Sequence, residues 1–430
     1  MMRVALWLMA LFAMAVASAL FAGSNRATVT LFWSPYRLDV SLNLVLLIVA
    51  VAFIVLHYAL RTLSALLNVP QQAREWRLQH KERATHAALL DGWSHLASGR
   101  YVRARKAAEL AVSIEASISR NGDAIAQAEK LRTMAHLLAA ESAHALQDAA
   151  VREAHFQQAL NQSGSREAQE ARDGVLLRSA QWALHSGDAA AALHWLDQLP
   201  TGASRRTVAL RLRFRASRLA GKPSAALEMV RLLTKHRALS AVAGASVSQA
   251  LALEIIRSSH DILQLQKAWD ELDTAEESMP EVALTAAERW LVLGGDVAQS
   301  RRWVLMVWNT MLETPDALTT AQGVRLIRVL ERGFEVSDAL PDAEWLERIE
   351  SAQMNLPRNA MLQYLAGKVC MRLALWGKAQ QLLKLAQLTL TDATLKRDTW
   401  CALAELAEQR QDTATAASAY RQALQCAVKG

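Results

Sequence analysis

Hydrophobic and polar residues follow two different patterns along the chain. Two uncharged runs of nineteen residues each, Val4–Ala22 and Leu42–Leu60, precede a longer region in which apolar residues recur at helical spacing. A helix of about twenty apolar residues crosses the hydrocarbon core of a bilayer, because it rises about 1.5 Å per residue. The pattern therefore predicts a membrane anchor over residues 1–60, with spans at 4–22 and 42–60 and a loop at 23–41.

The first run also resembles the apolar region of a signal peptide, because Ala17-Ser18-Ala19 is typical of a cleavage site. The run is long for such a region, however, and a second apolar run follows closely. Trp33, Tyr36 and Tyr58 occupy positions at which aromatic side chains meet membrane interfaces. We therefore expect an uncleaved hairpin of two transmembrane helices.

Charged residues next to the second run predict its orientation. Residues 61–83 contain five basic side chains against only Glu75 and Glu82, whereas the loop carries two arginines and Asp39. Lysine and arginine close to a span stay on the cytoplasmic side, and such a cluster also attracts anionic lipid head groups. We expect a basic juxtamembrane helix at 61–83, with both termini and the following repeats in the cytoplasm. The five basic residues are Arg61, Arg74, Arg77, Lys81 and Arg83.

From residue 84 onward the chain reads as one helix after another, interrupted at intervals of 34 to 48 residues. Stacked helical hairpins give periods of this size. The spacing predicts an all-α fold in which a TPR-like α-solenoid of about nine hairpins follows the membrane anchor. We divide it at Pro200 into N-terminal repeats (84–200) and C-terminal repeats (201–430). The breaks fall near Gly99, Gln147, Gly187, Gly221, Ser259, Gly295, Gly333, Ala374 and Gln411.

Small and large residues alternate within the repeats as TPR packing requires. Small side chains let the two helices of a hairpin approach closely, while Trp, Tyr and Leu fill the neighbouring holes. The pattern is strongest in the last two units and weakest at 238–345, so an irregular all-α globule is the alternative. The predicted packing residues are Gly99, Tyr101, Ala104, Gly187, Ala192, Gly367, Trp376, Ala379, Trp400, Ala404, Ala416, Tyr420 and Ala423.

Composition and charge agree with helices and exclude several classes of function. Hydrophobic residues make up 52% of the chain, with only 17 glycines and 8 prolines, which favours helices. The net charge is +7, but basic residues alternate with acidic ones, so we expect no nucleic-acid partner. The three cysteines, Cys370, Cys401 and Cys426, lack the spacing of a disulfide framework or a zinc site.

No catalytic motif is present in the sequence. Gly221-Lys222-Pro223-Ser224 lacks the upstream glycine of a phosphate-binding loop, and there is no HExxH or GxSxG. We therefore expect a protein that is not an enzyme, with no metal site and no required cofactor.

Histidine and tryptophan are the remaining residue types that could bind a ligand or a partner. All eleven histidines lie between His57 and His260. Among them His136, His144 and His155 are the candidates for an axial haem ligand, against a surface or packing role. Six tryptophans within the repeats either pack between helices or line a groove as anchors for a peptide. They are Trp182, Trp195, Trp290, Trp303, Trp308 and Trp345.

The order of these parts resembles the HemY family of proteobacterial inner-membrane proteins. The segments that carry the resemblance are Leu96–Tyr101, Leu137–Ala143, His155–Ala159 and the units around Trp376 and Trp400. The resemblance implies a role in a late step of protohaem biosynthesis at the bacterial inner membrane. The flavin-dependent oxidase of the same name is a different protein, and its glycine motif is missing here.

Three functions remain open at this point. The first is a scaffold that binds haem-pathway enzymes through the solenoid groove and contacts inner-membrane lipids. The second is a porphyrin-binding or haem-binding chaperone, which makes haem or porphyrin a possible ligand. The third is a general TPR adaptor for envelope assembly.

Overall fold

The computed structural model describes residues 2–24, 26–123, 125–335 and 343–429. The described chain is helical except for one two-stranded hairpin, which confirms the predicted all-α class in its main feature. It forms two compact units, Met1–Ala171 (unit 1) and Arg172–Gly430 (unit 2).

Unit 1 contains the apolar segments and the first helical hairpins. Its elements are α1 (Met2–Ser24), β1 (Thr28–Trp33), β2 (Tyr36–Ser41), α2 (Leu42–Ala97), α3 (Tyr101–Ser119), α4 (Ala128–Ala145) and α5 (Ala149–Asn161).

Helix α2 is one continuous element of 56 residues. The predicted second span, the basic helix at 61–83 and the first repeat helix are therefore parts of a single helix. Among the described residues, only Leu42–Leu63 is long and apolar enough to cross a membrane. Within α1 the corresponding apolar stretch is the shorter Met9–Leu20.

The predicted loop at 23–41 contains regular structure that the sequence analysis missed. Strands β1 and β2 pair antiparallel, from Thr28 opposite Ser41 to Trp33 opposite Tyr36. The N–H of Leu42 donates to the carbonyl of Ala27 at 2.9 Å, which joins the base of the β-hairpin to the first turn of α2.

Close packing of small residues holds α2, α3 and α4 together. Ala104, Ala108 and Ala111 on α3 are fully buried. A Cβ on Gly92 of α2 would lie 2.6 Å from Cδ2 of Leu138 on α4, so a larger residue would require the Leu138 side chain to move. The alanine-rich spacing thus produces the helix approach expected of TPR-like hairpins.

Unit 2 is a succession of short helices, of which α6 begins just before the boundary. The longer ones are α6 (Gln169–His185), α7 (Ala189–Asp197), α9 (Thr207–Leu219), α10 (Pro223–Lys235), α11 (Ala241–Ser258), α12 (Ile262–Asp270), α14 (Pro280–Val292), α15 (Val297–Glu313), α16 (Thr320–Glu335), α17 (Ala343–Asn355), α18 (Ala360–Arg372), α19 (Trp376–Thr389), α20 (Ala393–Gln409) and α21 (Thr413–Lys429). Single turns form α8 (Thr201–Ser204), α13 (Thr274–Glu277) and a 3₁₀ segment at Pro315–Ala317.

Tryptophan side chains form much of the unit 2 core. The rings of Trp269 and Trp303 stack with centroids 4.6 Å apart, and Trp290 meets Trp303 edge-on at 5.0 Å. Trp308 and Trp345 form a further edge-on pair. Of the six tryptophans singled out from the sequence, five are buried and pack between helices, whereas Trp195 is half-buried.

A recurring turn connects the two helices of many hairpins. At Gly187 φ is +77°, the next N–H donates to the carbonyl of Ala183, and the Asp188 carboxylate accepts from the N–H of Ala191. Such a turn ends one helix and caps the next. The same left-handed conformation occurs at five other predicted breaks. They are Gly99, Gln147, Gly221, Ala374 and Gln411.

The predicted break near Gly333 falls close to the end of α16 at Glu335, and residues 336–342, which follow, lie outside the described residues. Gly333 is buried inside α16, and a Cβ there would lie 2.9 Å from Cγ1 of Val297 on α15. This glycine permits α15 and α16 to approach each other closely.

Candidate functional site

A groove crosses the first helices of four successive hairpins in unit 2. Two hollows of about 570 and 420 Å³ share Glu331, Lys368 and Glu405, so they are continuous. We call them together the unit 2 groove. Its walls are residues of α14, α16, α18 and α20, with Trp376 at the start of α19. The residues used below are Leu291, Arg328, Glu331, Arg332, Lys368, Met371, Trp376, Asp398, Cys401 and Glu405.

Hydrogen bonds fix the floor of the groove. The Glu331 carboxylate on α16 accepts from the buried Tyr364 hydroxyl at 2.7 Å and lies 3.2 Å from Nζ of Lys368. Both partners belong to α18. Because Glu331 is largely shielded from solvent, these bonds are stronger than surface ion pairs and set the spacing of α16 and α18.

Arg325 connects α16 to α14 on the same side. Its guanidinium donates to both carboxylate oxygens of Glu288 at 2.8 and 2.7 Å and to the Thr285 hydroxyl at 2.9 Å, and it also contacts Glu281. The hydrogen bonds to Glu288 are the main cause that raises the pKa of Arg325. The groove is therefore preorganised by bonds between successive first helices.

Arg332 differs from the other cations of the groove. Arg328 lies 3.4 Å from Asp398, and Lys368 pairs with Glu331. Arg332 is exposed, and within the described part of the chain it forms no ion pair or hydrogen bond. Leu291 and Met371 add apolar surface to the walls. This combination suits a polypeptide that presents a carboxylate beside apolar side chains.

The thiol in the groove is not activated. Cys401 is half-buried, and burial raises the pKa of its thiol, so the group stays protonated at neutral pH. The described cysteines form no disulfide, and Cys370 is buried. Among the residues that the structure describes, no three His, Cys, Asp or Glu side chains are grouped to hold a metal ion.

The predicted packing residues fall into two groups. The small ones are buried or lie in tight turns, as Ala104, Ala379 and Ala404 illustrate with no exposed surface. Gly367 is equally constrained, because a Cβ would lie 2.7 Å from Cγ of Leu383. Ala192, Ala416 and Ala423 are buried as well.

The aromatic residues among the predicted packing residues are more exposed than the alanines. Trp376 is 40% exposed and lines the groove, and Tyr420 is 38% exposed. Trp400 and Tyr101 are half-buried. The repeat pattern cannot distinguish a packing aromatic from a groove aromatic, because both occupy the same register.

A histidine pair lies at the contact of α4 and α5 in unit 1. The Nδ1 atoms of His136 and His155 are 3.0 Å apart. Burial, together with His155 and Arg132, lowers the pKa of His136 to about 4. Burial also lowers the pKa of His155, although Glu109, 3.8 Å from its Nε2, acts in the opposite direction. Both imidazoles are therefore neutral at physiological pH.

The third candidate histidine does not join this pair. Nδ1 of His144 lies 3.5 Å from a guanidinium nitrogen of Arg152. The structure thus brings together two of the three histidines that the sequence singled out. Their closeness depends on the angle between α4 and α5, which the sequence pattern does not specify.

These features define a helical-repeat protein with a preorganised groove and an apolar helix long enough to span a membrane. Residues 27–147 match the family model described as "HemY protein N-terminus". The chain therefore carries the HemY N-terminal region, and the resemblance to the HemY family is confirmed. The match covers the β-hairpin, α2, α3 and α4, including His136, and ends before α5. No curated protein matches the chain.

Three solved structures show a low likeness to this chain. The TPR domain of P58(IPK) is 14% identical, with a TM-score of 0.22, over 76% of this chain and 99% of that one. The structure of Naa15/Naa10 bound to HypK-THB is 13% identical, with a TM-score of 0.24, and the match covers 76% of this chain and 56% of that one. The structure of the APC/C hetero-tetramer Cut9-Hcn1 is 14% identical, with a TM-score of 0.26, and the match covers 79% of this chain and 66% of that one. Likeness this low carries no argument about partners, and the fold rests on the helix packing described above.

Proposed function

We propose that this protein is a membrane-anchored adaptor that acts in a late step of protohaem biosynthesis by binding enzymes of that pathway. The observation that carries the binding role is the unit 2 groove, in which Arg332 has no ion pair or hydrogen bond among the described residues and apolar side chains such as Leu291 and Trp376 line the walls. The pathway is taken from the HemY match. In this proposal the chain supplies binding and positioning, and its partners supply the chemistry.

The anchor explains what an adaptor would contribute. Porphyrins are poorly soluble, so an intermediate that diffuses freely between enzymes is lost to aggregation or to side reactions. When two enzymes are held on one scaffold, the effective concentration of each near the other is high, up to about millimolar for short linkers. A scaffold therefore raises transfer between enzymes without catalysing a step.

The topology is part of the proposal. We propose a two-pass protein of the bacterial inner membrane, with α1 and the first part of α2 as spans. Both termini and the repeats lie in the cytoplasm, because Arg61, Arg74 and Arg77 follow the second span. A reporter that is active only in the periplasm, fused after residue 430, should be inactive. Activity of that fusion would contradict the topology.

Affinity purification from solubilised membranes tests the adaptor role. The full-length protein should recover haem-pathway enzymes. Arg332→Glu should reduce that recovery severalfold, because it reverses a groove cation that has no ion-pair partner among the described residues. Arg302→Glu is the matched control. Arg302 is exposed on α15, outside the groove, and also lacks a described partner.

Two outcomes count against the proposal. Recovery of no haem-pathway enzyme, under conditions that preserve other membrane complexes, removes the adaptor role. Equal loss with both charge reversals removes the groove as the binding surface. In a strain that lacks the protein, porphyrin intermediates should accumulate, and a normal porphyrin profile would favour the envelope-assembly alternative.

A second candidate function is porphyrin or haem binding by unit 1. The observation in its favour is the His136–His155 pair, since neutral imidazole is the form that ligates iron. Imidazole nitrogen is a suitable axial ligand for haem iron, but the Nδ1 atom of each histidine already contacts the other imidazole. An iron ligand would therefore use Nε2 or break this contact.

Titration with haemin tests this second function. A Soret shift that disappears in His136→Ala and His155→Ala, but persists in His194→Ala, would support it. His194 serves as control because it is exposed on α7. No shift with the wild-type protein, or the same shift in all variants, would remove the named ligands.

A further inference from the structure

The β-hairpin that precedes α2 has two chemically different faces. Residues directly opposite each other in an antiparallel pair project to the same face, and successive residues alternate. The register therefore places Val29 with Val40, Leu31 with Leu38, and Trp33 with Tyr36 on one face. The other face pairs Thr28 with Ser41, Thr30 with Asp39, and Phe32 with Arg37. We call these the apolar face and the polar face of the hairpin.

Four of the six apolar-face side chains are exposed within the described part of unit 1, and only Val29 and Val40, near the base of the hairpin, are half-buried. Leu31 and Leu38 are more than half exposed, and Trp33 and Tyr36 are 75% and 72% exposed. A two-stranded hairpin that leaves such a face in water is only marginally stable. Something else must cover these four exposed side chains.

The polar face is internally satisfied. The Arg37 guanidinium lies 5.3 Å from the centre of the Phe32 ring and 3.6 Å from the Asp39 carboxylate. The single aromatic residue on this face, Phe32, is 75% exposed and has the Arg37 cation over its ring, which suits contact with water.

The position of the hairpin limits what covers the apolar face. Ser41 is followed at once by Leu42, where the apolar part of α2 begins, and the Leu42–Ala27 hydrogen bond holds both strands at that point. Six residues of strand span only about 20 Å. If Leu42–Leu63 crosses the membrane, the whole hairpin lies close to the bilayer surface.

Unpaired backbone groups of the β-hairpin disfavour its full insertion into the hydrocarbon core of the bilayer. The outer edges of a two-stranded sheet leave N–H and C=O groups unpaired, and such groups do not enter the hydrocarbon region. At the head-group level water still reaches them, and there Trp and Tyr are the preferred side chains.

We propose that the hairpin lies flat on the lipid surface, with its apolar face in the head-group boundary and its polar face toward water. The inference rests on the proposed membrane anchoring by α2. The occupant of the apolar face is the bilayer itself, on the side opposite the repeats. The hairpin then fixes the depth and rotation of α2, as an interfacial anchor does.

Site-directed spin labelling of the full-length protein tests this arrangement. Cys370, Cys401 and Cys426 are replaced by alanine, and single cysteines are introduced at 28–33 and 36–41. The labelled protein is reconstituted into phosphatidylcholine–phosphatidylglycerol vesicles. Accessibility to lipid-soluble oxygen and to an aqueous nickel complex is then measured. We expect the oxygen-to-nickel ratio to be severalfold higher at the six apolar-face positions than at the six polar-face positions.

A label at Val51, within the apolar part of α2, separates this inference from the anchor on which it rests. If Val51 is open to the nickel complex, the membrane anchoring fails. If Val51 is lipid-exposed but the two hairpin faces do not alternate, only the hairpin proposal is overturned. An apolar face accessible to nickel in vesicles would leave a protein partner as its cover, which also overturns the proposal.

A pair of substitutions gives an independent check. Leu31→Asp places a charge on the apolar face and should abolish the oxygen preference of a label at Leu38. Thr30→Asp places the same charge on the polar face and should leave that preference unchanged. Equal effects of the two substitutions would contradict a face-specific contact with lipid.

Discussion

The Nδ1 atoms of His136 and His155 lie 3.0 Å apart across the contact of α4 and α5, although the residues are 19 positions apart in sequence. At this distance one imidazole donates and the other accepts, so the contact requires that at least one ring be neutral. The position of a proton is thus linked to the packing of two helices, and this link has a measurable consequence.

We predict that the α4–α5 contact weakens in acid. The pKa of His136 is about 4 in the folded protein, against an ordinary value of 6.5, so the unfolded state binds the proton more readily. The stabilisation is fully present above about pH 6.5 and is lost as the pH falls towards 4. Hydrogen exchange of α4 and α5 in the full-length protein in lipid nanodiscs, corrected for intrinsic rates, measures the opening.

His136→Asn removes one of the two imidazoles whose pKa is lowered by burial and should reduce this pH dependence. His194→Asn, at an exposed histidine that contacts Gln198, should leave it unchanged. The same acid slope in the wild type and in His136→Asn would show that other groups cause the weakening.

We predict that Arg325→Ala destabilises unit 2 by about 1–3 kcal/mol. The substitution removes the bidentate contact with Glu288 and the bond to Thr285 and leaves two carboxylates near each other on α14. Urea unfolding in detergent micelles, followed by the fluorescence of the buried tryptophans, measures the loss.

Arg325→Lys should recover only part of that stability, because an ammonium group cannot make the two parallel bonds of a guanidinium. In a double-mutant cycle with Glu288→Gln, we expect a coupling of about 1 kcal/mol or more. Additive effects of the two substitutions would mean that the pair contributes no specific interaction.

We predict that Gly367→Ala lowers the stability of unit 2 by about 1–2 kcal/mol. The added Cβ would lie 2.7 and 2.8 Å from carbons of Leu383, and this overpacking outweighs the roughly 1 kcal/mol by which alanine favours a helix. Gly377→Ala is the matched control, because no atom lies within 4 Å of its Cβ position. A thermal unfolding midpoint that falls only for Gly367→Ala is expected. Equal shifts for both variants would contradict the close approach.

The sequence predicts the hairpin turns well because their signals are local. Breaks at Gly187 and Gln411 depend on a left-handed residue followed by an aspartate that caps the next helix. Both signals lie within a few residues. The packing role of Gly333 was not predicted, because a glycine at a helix–helix contact looks the same in sequence as one in a turn.

Contacts between residues that are far apart in the sequence were harder to predict from it. Arg325 reaches acidic residues 37 and 44 positions away, and no periodicity identifies them as its partners. The β-hairpin was missed for a different reason. Its alternation spans only six residues per strand, and the apolar runs on either side dominated the pattern.

Ala374 is one of the described residues at which this sequence departs from the best residue for its backbone. Its φ is +56°, a conformation that disfavours any side chain with a Cβ by about 1–2 kcal/mol. Ala374→Gly should therefore raise the stability of unit 2 by up to about 1 kcal/mol, after the greater entropy of glycine in the unfolded chain is subtracted. For a unit of this size, about 1 kcal/mol corresponds to roughly 2–4 °C in Tm.

The reciprocal substitution, Gly187→Ala, introduces the same strain at a residue whose φ is +77° and whose Cβ position is otherwise open. It should lower stability by about 1 kcal/mol without altering packing. Differential scanning fluorimetry of the two variants beside the wild type measures both shifts. Because neither substitution changes a contact, opposite shifts would attribute the effect to the backbone. A rise with Gly187→Ala, or a fall with Ala374→Gly, would contradict the left-handed turns on which the hairpins are built.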